Sequence, residues 1–152
     1  MGSGGIYVCG KCGHMTEELM IGAGFLSGPC DPIIGARILG GEYGKKAKKV
    51  LEENPDSDFS FHMGLFECRC GNITSKDVVS IWSRGEKIAE DVLWTFGGPK
   101  IDVYEKGKVL YHPAVKCSEC GKRMHELRHP PMEMPCPKCD GIMRFEETIL
   151  WD

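Results

Sequence analysis

The sequence predicts a small α+β fold that is stabilised by bound metal ions. Three observations lead to this prediction: four short cysteine pairs, an amphipathic helical stretch, and several runs of alternating apolar residues. We expect two four-cysteine knuckle modules and a helical insertion. The expected divisions are an N-terminal metal module with a helical insertion in residues 6–75, an α/β connecting region in 76–111 and a C-terminal metal module in 112–152.

Eight of the nine cysteines lie in pairs at the spacing of metal ligands. The pairs are Cys9/Cys12, Cys68/Cys70, Cys117/Cys120 and Cys136/Cys139. The last two pairs match a zinc-ligand spacing, so we expect them to form one site and the first two pairs to form the other. Four thiolates suit a closed tetrahedral site, which predicts two zinc ions, with iron less favoured. His14 or His62 remains an alternative ligand at the first site.

The chain carries no sign of secretion or of a membrane span. Residues 1–5 lack the basic and apolar regions of a signal peptide, and they receive no structural weight in this prediction. No apolar run reaches the roughly 18 residues of a transmembrane helix. We expect a soluble, cytoplasmic protein, in which paired cysteines favour metal binding over disulfides.

Local patterns assign the elements of the N-terminal half. Leu19–Ile21 is expected to be a strand that returns from the first knuckle. Asp31 is expected to cap a helix that begins at Pro32. A second helix is predicted over 42–54, with apolar residues on one face, and a strand is predicted over 59–68.

The second half is predicted to alternate helix and strand. Residues 74–90 are expected to form one or two helices, followed by a strand over 92–96. Residues 102–111 are expected to fold as a hairpin around Glu105–Lys108. Strands are predicted over 122–128 and 142–150, on either side of the last knuckle.

Charge favours a protein partner over nucleic acid. The net charge is −3 and the isoelectric point is about 6.0, without the basic excess of a dedicated nucleic-acid binder. A local anion-contacting patch remains an alternative on the second helix, at Lys45, Lys46, Lys48 and Lys49. Three methionines, Met124, Met132 and Met134, are expected either to cover the core or to form a partner-binding surface.

No catalytic set is recognised in the sequence. Metalloprotease motifs such as H-E-x-x-H are absent, and Cys30 is interpreted as a small buried residue because no neighbour in sequence supplies a base. An enzyme remains an alternative, with an unrecognised site in residues 22–111 that would involve Cys30, His62, Asp56 and Asp58.

The last four paired cysteines also support a family resemblance. Cys117-x-x-Cys120-Gly and Cys136-Pro-x-Cys139 make residues 112–152 similar to a zinc ribbon of the rubredoxin-like group. This resemblance implies a structural zinc ribbon or, alternatively, an iron protein for electron transfer. The order Cys9-x-x-Cys12-Gly, Gly22-x-Gly-Phe25, Cys68-x-Cys70-Gly-Asn resembles small, uncharacterised bacterial cysteine-rich proteins with two zinc-ribbon modules. That likeness implies no catalytic residue.

Overall fold

The computed structural model describes residues 2–22, 30–92 and 100–151. Contacts divide the chain into two compact units. The first unit contains Met1–Gly24, Met63–Asp77 and Ala114–Asp152, and the second contains Phe25–His62 and Val78–Pro113. The units interleave along the chain, whereas the divisions expected from the sequence are consecutive.

Antiparallel strands build the first unit. They are β1 (Gly2–Cys9), β2 (Leu19–Gly22), the end of β3 (Asp58–Glu67), the start of β4 (Ile73–Val92), β6 (His125–Leu127), β7 (Glu133–Pro135) and β8 (Ile142–Trp151). β1 pairs with β8 from Gly2↔Trp151 to Cys9↔Met143, and with β2 on its other side. β7 pairs with β8, and β3 pairs with β6. The return strand β2 confirms the predicted one.

The core of the first unit includes metal-ligand candidates. Its buried residues are Tyr7, Cys9, Leu19, Leu65, Ile73, Met134, Cys136 and Met143. The Tyr7 hydroxyl donates a hydrogen bond to the carbonyl of Pro131 at 2.7 Å, which ties the β6–β7 loop to this core. Met124 and Met134 are buried, but Met132 is 74% exposed. Two of the three methionines are therefore buried as expected for a core role, whereas Met132 does not cover the core.

The N-terminal glycines form part of the sheet. Residues 2–5, for which the sequence predicted no element, belong to β1. A Cβ atom at Gly5 would come within 2.5 Å of the carbonyl oxygen of Glu146 and of the Phe145 ring. Glycine is needed there because β1 and β8 approach closely beside a bulge between Gly4 and Gly5.

Two nine-residue helices lie in the second unit. α1 (Pro32–Gly40) begins as predicted: Asp31 accepts hydrogen bonds from the backbone N–H groups of Ile33 and Ile34. Gly41 ends it in the left-handed conformation, with φ of 86°. α2 (Lys45–Glu53) begins later than expected and buries Ala47 and Leu51. Both residues lie on the single apolar face that was predicted for this helix.

The remaining half of the second unit contradicts the prediction. The segment expected to be helical over 74–90 belongs to β4, a strand of 20 residues. β5 (Lys100–Tyr111) is continuous through Glu105–Lys108 and pairs with β4, so the predicted internal hairpin is also wrong. The segment is rich in β-branched and aromatic side chains, which fit a half-buried pleated surface better than a helix.

The α+β class with a helical insertion is therefore wrong. The described part of the chain is mostly antiparallel sheet, with two short helices. Some predictions lie outside the described residues, namely the Gly24-Phe25 end of the glycine motif and nearly all of the strand over 92–96. No helix in the described ranges is long and apolar enough to cross a membrane.

Candidate metal centres

Each of the four cysteine pairs sits on a tight backbone turn of the same kind. The backbone N–H of the first cysteine donates to a carbonyl just past the second: Cys9 to His14, Cys68 to Asn72, Cys117 to Lys122 and Cys136 to Gly141, at 2.8–2.9 Å. The turn that begins at Cys68 is one residue shorter, in agreement with its single intervening residue. Glycines with positive φ follow three of the pairs: Gly13, Gly71 and Gly121.

The eight paired cysteines meet in two clusters of four. Cluster A contains Cys9, Cys12, Cys136 and Cys139. Cluster B contains Cys68, Cys70, Cys117 and Cys120. Within each cluster all four sulfur atoms lie within 4.8 Å of one another, and both clusters lie in the first unit.

This grouping differs from the expected one. The sequence pattern joined the last two pairs in one site, but the structure places Cys117/Cys120 with Cys68/Cys70 and Cys136/Cys139 with Cys9/Cys12. Strand pairing is the cause: β1 and β8 bring the two ends of the chain together, so that Cys9 faces Met143 in register. The pairing of β3 with β6 likewise brings together the two cysteine pairs of cluster B, because Glu67, which precedes Cys68, pairs with His125.

The geometry of both clusters fits a tetrahedral thiolate site. In cluster A the sulfur atoms of Cys9 and Cys139 are 3.6 Å apart, and those of Cys12 and Cys136 are 3.7 Å apart. In cluster B the corresponding distances are 3.4 Å (Cys68 to Cys120) and 3.6 Å (Cys70 to Cys117). A regular tetrahedron with zinc–sulfur bonds of about 2.3 Å has edges of about 3.8 Å. The donor set therefore suits a thiophilic ion such as zinc.

Individual cysteine thiols in the clusters have pKa values that are shifted in opposite directions. Backbone N–H groups, that of Cys12 above all, lower the pKa of Cys9 to about 6. A hydrogen bond from the Gly141 N–H lowers the pKa of Cys139, but burial and the neighbouring thiols together outweigh it and raise this pKa to about 12. In cluster B burial opposes ionisation of Cys117, but hydrogen bonds from Asn72 and the backbone bring its pKa to about 6. Cys139 is therefore protonated at neutral pH unless a bound cation displaces its proton.

Further groups support the ligands, and sequence reasoning missed them. In cluster B the Asn72 side-chain amide donates to the Cys117 sulfur at 3.4 Å, across the two knuckles. In cluster A the backbone N–H of Gly141 donates to the Cys139 sulfur at 3.3 Å. A Cβ atom at Gly141 would lie 3.0 Å from the Cys9 sulfur, so only glycine fits without a shift. Their position just after a cysteine pair was the available signal.

The histidines are not members of either cluster. Each cluster found among the described residues consists of cysteines alone, without His14 or His62. His14 contributes its backbone carbonyl to the first turn, and His62 belongs to the second unit. His125 lies near cluster B in sequence but contacts the Glu67 carboxylate at 3.3 Å.

Cys30 belongs to a small polar group in the second unit. Its thiol donates to a carboxylate oxygen of Asp58 at 3.1 Å, and the Arg84 Nε donates to the same oxygen at 2.7 Å. The Asp58 side chain is 8% exposed. Burial, reinforced by Asp58, raises the pKa of Cys30, so the thiol is protonated at neutral pH. A protonated thiol beside a half-buried ion pair differs from the ionised thiol of an activated nucleophile.

Comparisons with known proteins identified no relative of this chain. No protein-family model, curated protein or solved structure matches the chain. The arrangement of the eight cysteines therefore carries the functional argument.

Proposed function

We propose that this protein binds two structural zinc ions and acts as an intracellular interaction module, with another protein as its partner. The observation that carries the proposal is the gathering of eight cysteines into two four-sulfur clusters. A closed four-thiolate site leaves no coordination position for water or substrate, so it favours a structural role over catalysis. Cytoplasmic reducing conditions would keep the thiols available for metal.

The positions of the clusters support a structural role for the metal. Cluster A links segments at both ends of the chain, and cluster B links two internal segments. Structural zinc in zinc-finger peptides contributes roughly 10–16 kcal/mol of apparent binding free energy, which is available to folding only when the ion is bound. Removal of both ions is therefore expected to unfold the first unit.

The proposed partner is a protein rather than a nucleic acid. Of the four lysines on α2, Lys48 and Lys49 already contact Glu52 and Glu53 in ion pairs. The first unit also exposes large apolar side chains, among them Met15, Met132 and Leu150. Exposed apolar side chains suit a protein contact, and the net charge of −3 disfavours phosphate.

Metal analysis tests the central part of the proposal. The protein is purified without chelators from cells supplied with both zinc and iron, and its metals are counted by mass spectrometry. The proposal expects two zinc ions per chain and a colourless protein. Stoichiometric iron with the visible absorption of an iron–thiolate site would support the electron-transfer alternative instead.

A second experiment tests the choice of partner. The zinc-loaded protein is used for affinity capture from its native host, beside a salt titration with single-stranded and duplex DNA and RNA. The proposal expects a reproducible protein partner that is lost after chelation. Binding to DNA or RNA with a steep salt dependence would instead identify nucleic acid as the partner.

A further inference from the structure

We propose that the two clusters differ in function: cluster B is an exchangeable zinc site, whereas cluster A retains its ion. This inference rests on the proposed zinc-binding function and extends it, because it gives cluster B the capacity to pass zinc to a competing ligand. Three differences between the clusters support it: the exposure of their cysteines, the contacts between their knuckles, and their relation to the core.

Both knuckles of cluster B present an exposed cysteine. Cys70 is exposed on one knuckle and Cys120 on the other, with Cys68 and Cys117 buried behind them. In cluster A Cys12 is exposed, but the opposite knuckle offers only the buried Cys136 and the half-buried Cys139. A competing ligand can therefore approach cluster B from two sides and cluster A from one.

Several contacts join the two knuckles of cluster A, which are the cysteine-bearing turns of residues 9–14 and 136–141. The Gly10 N–H donates to the carbonyl of Ile142 at 3.4 Å, and the Lys11 ammonium pairs with the Asp140 carboxylate. The knuckles are close together at Gly141, where an added Cβ atom would lie 3.0 Å from the Cys9 sulfur and 3.2 Å from the Cys139 sulfur. The long β1–β8 pairing continues to Cys9 itself. Opening cluster A therefore requires several contacts between these knuckles to break at once.

The knuckles of cluster B have fewer such connections. Apart from the sulfur contacts, the described residues show the hydrogen bond from the Asn72 amide to the Cys117 sulfur and, beside the knuckles, the contact of His125 with the Glu67 carboxylate. The supporting β3–β6 pairing extends over three residues on each strand.

The clusters also differ in their relation to the core. Cys9 and Cys136 belong to the main buried core of the first unit, and Cys139 packs against it. The four cysteines of cluster B are not among the described members of that core. Local opening requires less free energy where fewer buried contacts must break, so cluster B should open more often.

The exchange is a ligand substitution without electron transfer. An incoming chelator would take over the ion as Cys70 and Cys120, and then Cys68 and Cys117, give it up. Each cysteine would be released with its electron pair, as a thiolate in equilibrium with the thiol, and the ion would leave as the chelate. No sulfur is oxidised.

Zinc release coupled to cysteine labelling tests the inference on the wild-type chain. The protein with two zinc ions is mixed with excess chromogenic chelator and N-ethylmaleimide, and alkylated peptides are identified by mass spectrometry over time. One equivalent of zinc should leave about tenfold faster than the other, or more, a difference of the size that supporting contacts produce. During that phase the label should reach Cys68, Cys70, Cys117 and Cys120, while the cysteines of cluster A stay unlabelled.

Two outcomes would overturn the inference: equal rates of release, or earlier labelling of cluster A. A matched pair of variants assigns the phases: Cys68→Ser with Cys70→Ser should remove the fast phase, and Cys9→Ser with Cys12→Ser the slow one. If either variant does not fold, the wild-type labelling order decides. A protein that is purified without two zinc ions would contradict the proposed function before exchange is measured, so the two failures are distinguishable.

Discussion

The sulfur atoms of Cys9 and Cys139 lie 3.6 Å apart, although 130 positions separate the two residues in the chain. Strand β1 carries the first to this position and the turn before β8 carries the second. A metal ion bound here would therefore fix the two ends of the described chain to each other. Such long-range closure makes cluster A a determinant of the first unit as a whole.

Alanine at Gly141 should impair metal binding by cluster A. The new Cβ would lie 2.8 Å from the Lys11 Cβ and 3.0 Å from the Cys9 sulfur. We expect zinc affinity at this cluster to fall about 10- to 100-fold, the usual range for loss of a supporting group. Competition with a chelator of known affinity measures it. Gly10→Ala is the matched control, because a Cβ there meets nothing within 4 Å; equal losses in both variants would contradict the steric argument.

Removal of the Asn72 side chain should weaken cluster B alone. Its amide donates to the Cys117 sulfur and helps to lower the pKa of that thiol. Asn72→Ala should reduce zinc affinity at cluster B about tenfold or more and leave cluster A unchanged, as judged by chelator competition. Asn54→Ala is the control, because Asn54 also donates through its side chain but to the Val50 carbonyl in α2. Unchanged binding in Asn72→Ala would remove the assigned supporting role.

Neutralising Asp58 should destabilise the second unit. Asp58 is buried and accepts hydrogen bonds from both Arg84 and Cys30. Asp58→Asn should lower the free energy of unfolding by about 1.5–3 kcal/mol, the range for hydrogen bonds to charged groups. Hydration of the exposed part of the Arg84 side chain limits the loss. Denaturant titration of the zinc-loaded protein measures the loss. The exposed Asp56→Asn should change little; the idea fails if the two variants are equally stable.

The half-buried Cys30 thiol should make the free energy of unfolding depend on pH in the alkaline range. Its pKa is raised above the ordinary value of 9.0, so the folded chain keeps this proton at a pH where the unfolded chain loses it. The contribution is complete below the ordinary pKa and is lost as pH rises from there through the raised value. Denaturant titrations of wild type and Cys30→Ala, both zinc-loaded, should diverge across that window. Parallel pH profiles would refute this assignment.

The sequence identified the eight candidate ligands but not which cysteine pairs come together. Four knuckles can be joined two by two in three ways, and local spacing favoured the pairing nearest along the chain. The actual pairing depends on which strands meet, and β8 meets β1 over eight residues of β1. No motif encodes that long-range register, so the choice between the three arrangements required the fold itself.

The helices and strands were predictable where local chemistry decides them. Asp31 before Pro32 specifies the start of α1, because a carboxylate cap and a fixed φ act within a few residues. Val78, Ile81 and Trp82 lie at a spacing that also fits a helix, and this suggested helix where β4 forms. All three are buried, and pairing with a distant strand settles their conformation. The hydrophobic periodicity of a short segment carries no information about the distant strand with which that segment pairs.

Cadmium NMR tests the central claim most directly. The chain is loaded with two NMR-active cadmium ions, and scalar couplings connect each metal to the Cβ protons of its own cysteines. The account predicts that one cadmium couples to Cys9, Cys12, Cys136 and Cys139, and the other to Cys68, Cys70, Cys117 and Cys120. A cadmium that couples to Cys117 and Cys136 together would contradict it.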